Sequence, residues 1–274
     1  MALFKAAWEE KLFPAKWSAL MKENTKKEIR ASVAQTKIYN EAPMVTYTEE
    51  ATVPSTAVVD IDSAGAVFKY AGTGGKTALL NFASFTSPGG GFLRGAKAQE
   101  ECLCRASNLY NILSQFPEYY AENNADLNGH LYYDRGLYTP DVVFFDWDEL
   151  PIIMPIVTPV VSSELHIPRR RQAVDVITVA APFKARLSAK CTDEQYREAL
   201  ESRIKLTLDI AQDNAVETLI LGAFGCGVFK NNPNEVASLY KKYLESGKYS
   251  FRQVIFAIPD RSCDNYKAFQ KAGL

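Results

Sequence analysis

The chain has 274 residues, 47% of them hydrophobic and 23% charged, with 31 Lys and Arg against 32 Asp and Glu for a formal net charge of −1. A chain of this length buries a sizeable core, and this composition is ordinary for a globular protein. The balanced charge excludes the global basic field of a general nucleic-acid binder.

Residues 1–17, MALFKAAWEEKLFPAKW, hold no uninterrupted apolar segment of the kind a secretory signal carries. No run approaches the ~20 apolar residues needed to span a bilayer. No membrane is expected, and the expected compartment is the cytoplasm, with the nucleus left open. The stretch 16–39, KWSALMKENTKKEIRASVAQTKIY, is mixed in charge and reads as helix. Residues 1–40 are therefore expected to form a helical extension packed on a single domain of residues 41–274.

Short β-branched or apolar runs follow: AVVDID (57–62), TALLNFAS (77–84), VVFFDWD (142–148), DVITVAAP (175–182), ETLILGAF (217–224) and QVIFAIPD (253–260). Several are almost continuously apolar, as strands buried on both faces are. Helical spacing begins near Ala98, with Leu103, Ala106, Leu109, Tyr110 and Leu113 on one stripe, and returns over 193–214 and 233–245. Alternating strands and helices predict an α/β fold with a covered sheet. The five cysteines are odd in number and scattered without a C-x-x-C, which fits free thiols in a reducing compartment. Two histidines are too few to suggest a zinc site, and neither a metal nor another cofactor is expected.

Ligands of open α/β sheets bind beyond the carboxyl ends of strands, where loops feed helix N-termini. Two such loops are rich in glycine: TSPGGGFLRGAKAQ after LLNFAS, and GCGVFKNNPNEVASLY after ETLILGAF. In the second, Asn232 suits the N-cap, Pro233 the first helical position and Glu235 the third position of a capping box. Residues 225–231 then form a tight loop with unpaired N–H groups at a positive helix end, suited to a phosphate or diphosphate. Tight turns alone also explain glycines, but two such loops in one chain favour a ligand. AGTGGKT (71–77) lacks the phosphate-loop spacing, since Tyr70 stands where the first Gly is needed, and it runs into a strand; it reads as a hairpin or loop turn. A G-x-G-x-x-G pattern fails at Lys230.

Glu100 and Glu101 fall in the first turn of the helix after the first glycine loop. Neighbours on a helix project about 100° apart, so the pair reaches one small region and cannot flank a sugar from opposite faces. Like-charge proximity would raise the pKa of one member, leaving a carboxyl poised to protonate a leaving hydroxyl. Two first-turn acids complementing the helix dipole are the bland alternative.

PGGGFLRGAKAQEE, three glycines and then Gln-Glu-Glu after seven residues, resembles the signature of the poly(ADP-ribose) glycohydrolases, in their short bacterial-type branch. NFAS before the glycines, CRASNLYNIL after the glutamates, the AAP that ends one strand and LGAFGCGVFKN fall in the same order, so the likeness extends over residues 25–274. The resemblance implies a macrodomain-like three-layer α/β/α fold with a mixed central sheet and an N-terminal helical extension. It implies an enzyme that cleaves ribose–ribose bonds of poly(ADP-ribose), a metal-independent glycosidase-type hydrolase. Glu101 would be the acid and then the base, and Glu100 would orient the neighbouring ribose. Gly89, Gly90 and Gly91 would let the backbone approach the terminal ribose and its phosphate, with Asn81 nearby and Gln99 on the substrate side. Gly225, Cys226, Gly227 and Val228 would wrap the diphosphate, and Phe229 would pack against the terminal ribose; Cys226 would be no nucleophile.

The implied partner is an ADP-ribose polymer or an ADP-ribosylated protein, with nucleic acid only if ADP-ribosylated, and a monomeric enzyme. Phe183 stands after AAP where the family often has Asn, and Lys230 where a small residue is usual. Arg169, Arg170 and Arg171 read as a solvated loop. A hydrolase of single ADP-ribose units and a non-catalytic ADP-ribose reader share the same binding site; the retained glutamates speak against the reader.

Overall fold

A computed structural model describes residues 19–47, 52–72, 75–146 and 170–274. Seven strands hydrogen-bond in the order β1 (Lys37–Tyr39), β4 (Gly136–Asp146), β5 (Arg170–Val179), β3 (Thr77–Phe82), β6 (Thr218–Leu221), β7 (Gln253–Ala257) and β2 (Ser55–Val59). β4 lies antiparallel to both β1 and β5, and every pairing from β5 to β2 is parallel. The sheet is therefore mixed, with its parallel strands ending together at one edge.

Both faces are covered, which is why the parallel strands read as apolar runs. On β3, Ala78 and Leu80 enter one core cluster while Leu79 enters the other, as the two-residue strand period requires. The first face packs α6 (Asp193–Asp213), α7 (Pro233–Leu244) and α8 (Asp264–Ala272), through Leu200, Ile204, Val236, Tyr240 and Phe269. The second packs α2 (Ser63–Tyr70), α3 (Gln99–Ala106), α4 (Leu109–Leu113) and α5 (Pro117–Ala125). It is joined there by Ile29 and Val33 of α1 (Ala19–Gln35), whose buried Ser32 donates to Asp141 O at 3.2 Å. No described helix is long and apolar enough to cross a membrane.

Four local expectations are corrected. The N-terminal helix ends at Gln35, and Lys37–Tyr39 pairs with β4 as an edge strand. The helix starting after Ala98 breaks at Ser107–Asn108, where Ser107 bridges Phe144 and Asn108 exchanges backbone and side-chain bonds with Val143, so an edge of the sheet outcompetes helix continuation. The hairpin reading of AGTGGKT gives way to its loop alternative, since the segment lies between α2 and β3, with Gly72 and Gly75 at positive φ. Arg170 and Arg171 belong to β5, paired with Asp146 at 3.0 Å and Glu28 at 2.7 Å; Arg169, like the end of VVFFDWD, lies outside the described residues.

Candidate active site

The site is assembled where β3 ends and α3 begins. Gln99, the first residue of α3, accepts from Phe82 N at 2.9 Å and donates to Leu80 O at 2.8 Å and Ser63 Oγ at 3.2 Å. Its amide completes the β3 ladder and pins the helix start against the strand. That geometry commits Gln99 to positioning the helix, although it also lines the cleft described below.

Pinning Gln99 fixes the directions of the next two side chains. Glu100 is buried and accepts from Ser84 N at 2.7 Å and from Asn81 Nδ2 at 3.2 Å. Burial pushes its carboxyl up to about 8, against the opposing pull of the Ser84 and Asn81 bonds, and the nearby Glu101 charge adds less than burial does. Desolvation rather than like charge is thus the main cause of the raised Glu100 carboxyl. Glu101 is also buried. Its Oε1 accepts from Gly91 N at 2.7 Å, while its Oε2 has no partner among the described residues. An unpaired carboxylate oxygen under nine-tenths cover is costly unless something else occupies its lone pairs.

The first glycine loop is shaped by these carboxylates. Gly90 has φ 57°, and a Cβ there would lie 2.6 Å from Glu101 Oε1 and 3.0 Å from Glu100 Oε2. Only a residue without a side chain fits between the two acids. Gly89 is buried against Tyr110, and a short 3₁₀ turn, Phe92–Arg94, carries the chain on to α3.

The second loop leaves β6 and turns at Gly225, φ 71°, where a Cβ would collide with Asn231 Nδ2 and with Ala181. Asn231 N donates to Gly225 O at 3.1 Å, and its Oδ1 accepts from Tyr196 OH of α6 at 3.2 Å. Cys226 N is used within the turn, by Ala223 O; the N–H groups of Gly225, Gly227, Val228 and Phe229 have no acceptor among the described residues. Burial pushes the Cys226 thiol up to about 12, so it stays protonated at neutral pH. Asn232 caps α7 through Asn234 N at 2.9 Å, but Glu235 does not close the expected box. That reciprocal geometry occurs instead at Thr192 and Gln195 of α6.

A cleft of about 420 Å³ lies between the start of α3 and the second glycine loop, a volume suited to a ligand of nucleotide size. It is lined by Phe82, Gln99, Gly225, Gly227, Val228 and Phe229, and closed beyond by Asp62, Ile258 and Asn265. Residues 89–91 and the two glutamates are not in this lining. They adjoin it through α3 and the end of β3: Gln99 of the lining precedes Glu100, and Phe82 of the lining, the Gln99 partner, lies two residues before Ser84, the Glu100 partner. Phe229 is itself stacked on Phe183, with ring centroids 4.2 Å apart.

Comparison with known proteins places this geometry. The model of the microbial-type PARG catalytic domain matches residues 16–146. A poly(ADP-ribose) glycohydrolase from Deinococcus radiodurans, solved in complex with ADP-ribose, is 30% identical, with a TM-score of 0.71 over 89% of this chain and 96% of that one. The chain belongs to the microbial-type poly(ADP-ribose) glycohydrolases. The Thermomonospora curvata enzyme is 28% identical with a TM-score of 0.76, over 90% of this chain and 88% of that one. The same enzyme bound to the inhibitor ADP-HPD gives 29% and 0.73, over 89% and 88%. None of the curated proteins compared with the chain matches it.

Several residues of this glycohydrolase site are not signalled by its motif. Ser84 acts through its backbone N–H, which any residue supplies, so no side-chain pattern marks it. Asn231 precedes the cap residue Asn232 and is hidden by it; its role under Gly225 depends on Tyr196, thirty-five residues earlier. Phe183, a departure from the family pattern, is half-buried as the stacking partner of Phe229.

Proposed function

We propose that this chain hydrolyses the ribose–ribose O-glycosidic bonds of poly(ADP-ribose), releasing ADP-ribose, with Glu101 as general acid and then general base. The observation that carries this is the state of Glu101: one carboxylate oxygen held by Gly91 N–H, the other buried and unpartnered at the mouth of a helix. A fixed carboxyl with one oxygen free is what proton transfer to a positioned leaving group requires.

The terminal ADP-ribose lies along the cleft, its diphosphate received by the free N–H groups of Gly225, Gly227, Val228 and Phe229 and its terminal ribose against Phe229. Glu101 gives its proton to the 2′-oxygen as the bond to the anomeric carbon breaks. Water attacks the oxocarbenium-like centre and returns a proton to Glu101, so the carboxyl ends as it began. Glu100 holds the adjacent ribose. With its carboxyl raised to about 8 it is largely neutral near pH 7, so it adds no negative charge beside an anionic substrate.

The test is incubation with automodified polymer and, separately, with mono-ADP-ribosylated protein and DNA, followed by product identification. Free ADP-ribose from polymer, and its loss by ~10²–10⁴-fold in Glu101→Gln with ADP-ribose binding retained, is the expected result. Hydrolysis of polymer by Glu101→Gln at the wild-type rate, or release of ADP-ribose from the mono-modified substrates alone, overturns it.

A further inference from the structure

The segment between the glycine loop and the glutamates, Phe92–Ala98, carries two cations that the site chemistry has not used. Arg94 and Lys97 are both exposed, and neither side chain has a hydrogen bond or ion pair among the described residues. The third cation nearby, Arg105, is committed: it donates to Ala96 O at 2.8 Å and to Cys102 Sγ at 3.2 Å. Lys97 lines the cleft, whereas Arg94 does not. Arg94 Nη2 lies 3.9 Å from where a Gly91 Cβ would stand, and Gly91 N–H is the group that holds Glu101. Arg94 is therefore an unpaired guanidinium beside the catalytic hydrogen bond yet outside the cleft, with the half-exposed Leu93 next to it.

We infer that Arg94 is a leaving-side contact, binding the diphosphate of the ADP-ribose unit next to the one being released. This inference rests on the function proposed above, under which Glu101 marks the scissile bond. The unit on one side of that bond fills the cleft. The rest of the polymer must then pass out over the backbone that holds the Glu101 carboxyl by hydrogen bond, which is Gly91 and the turn after it. Each further unit brings two phosphate charges at a fixed spacing, and a planar guanidinium takes two phosphate oxygens at once. ADP-ribose alone ends at the bond and offers Arg94 nothing, so the contact discriminates polymer from product. The polymer favours this assignment over a modified protein, whose surface need not present phosphate at that distance.

Arg94→Ala and Arg94→Lys are compared with the wild type for KM and kcat on polymer, at low and at physiological salt, and for ADP-ribose affinity by calorimetry. Arg94→Ala is expected to raise the polymer KM about fivefold at low salt, the upper end for one exposed charge pair, with kcat unchanged at saturation. The dependence of log KM on log salt should flatten by about one charge, and Arg94→Lys should recover part of the loss. ADP-ribose affinity should not move. An unchanged polymer KM overturns the proposal, and so does an equal loss of polymer and ADP-ribose binding, which would place Arg94 in the terminal site. A wild type that leaves polymer intact refutes the proposed function instead.

Discussion

Glu100→Gln is the substitution that separates burial from charge at this site. The wild-type carboxyl is buried, and burial lifts it from an ordinary 4.5 to about 8 in the folded chain. Between those two values the unfolded chain ionises Glu100 while the folded chain still holds the proton, so the native state binds more protons and stability falls as pH rises. The sign follows from the raised value: the stabilisation is complete below pH 4.5 and is lost as pH climbs through about 8. Integrated over that interval the loss is about 4–5 kcal/mol, since one bound proton contributes about 1.4 kcal/mol for every tenfold change in proton concentration. The glutamine has the same shape, but its NH₂ cannot accept, so one of the bonds from Ser84 N or Asn81 Nδ2 is lost at a cost of about 1 kcal/mol. Below pH 5 the wild type should therefore be the more stable protein, and near pH 8 the order should reverse. Urea midpoints measured for both proteins at closely spaced pH values give the difference directly, because every other titrating group is common to the two. If the two stability curves run parallel from pH 5 to 8, Glu100 does not hold its proton in the folded state, and its neutral role in the site is refuted.

The remaining variants address the second loop. Gly225→Ala places a methyl against Asn231 Nδ2 and Ala181 at a backbone of φ 71°, so the loop must shift and its free N–H groups lose their common focus. ADP-ribose affinity by calorimetry should drop about tenfold or more with the fold intact, and unchanged affinity would remove residues 225–229 from the diphosphate. Phe229→Ala removes the ring stacked on Phe183 and packed against the cluster of Ala83, Phe85, Tyr132 and Ala180; turnover should fall more than ADP-ribose binding, because what is lost is the placement of the terminal ribose. Equal kcat in variant and wild type would leave Phe229 as a packing residue only.

How much of this was legible depended on whether a feature is set by local sequence or by distant partners. β3, β6 and β7 were visible as apolar runs because they lie in the parallel part of a sheet covered on both faces. β1 was hidden: three residues after a helix, at an edge, with Lys37 and Ile38 exposed, carry no strand signal of their own and depend on Gly136–Tyr138 for their pairing. The same holds for the break at Ser107–Asn108, which exists because Val143 and Phe144 are there to receive it. That the glycines and glutamates come together was legible because such close approach restricts residue type. The supports beneath them were not, since Ser84 contributes only a backbone N–H and Asn231 acts with Tyr196 on another helix.

Two adjacent glutamates on one turn could have been equivalent, and the structure makes them unequal by what each oxygen meets. Both oxygens of Glu100 are engaged, by Ser84 N and Asn81 Nδ2, and its burial favours the protonated form. Glu101 is anchored by one oxygen only, and Oε2 has no partner among the described residues. Gly90 keeps the division sharp, because any side chain there would wedge between the two carboxyls. Gln99 keeps it in register, because its amide locks the first turn of α3 to the β3 backbone and so fixes which way residues 100 and 101 project. A shift of α3 by one residue along β3 would move Glu100 into the place of Glu101 and Gln99 into the place of Glu100, so the clamp and both carboxyl environments would be lost. The Gln-Glu-Glu order is thus a positional requirement: the clamp first, the doubly engaged acid second, and the singly anchored acid third.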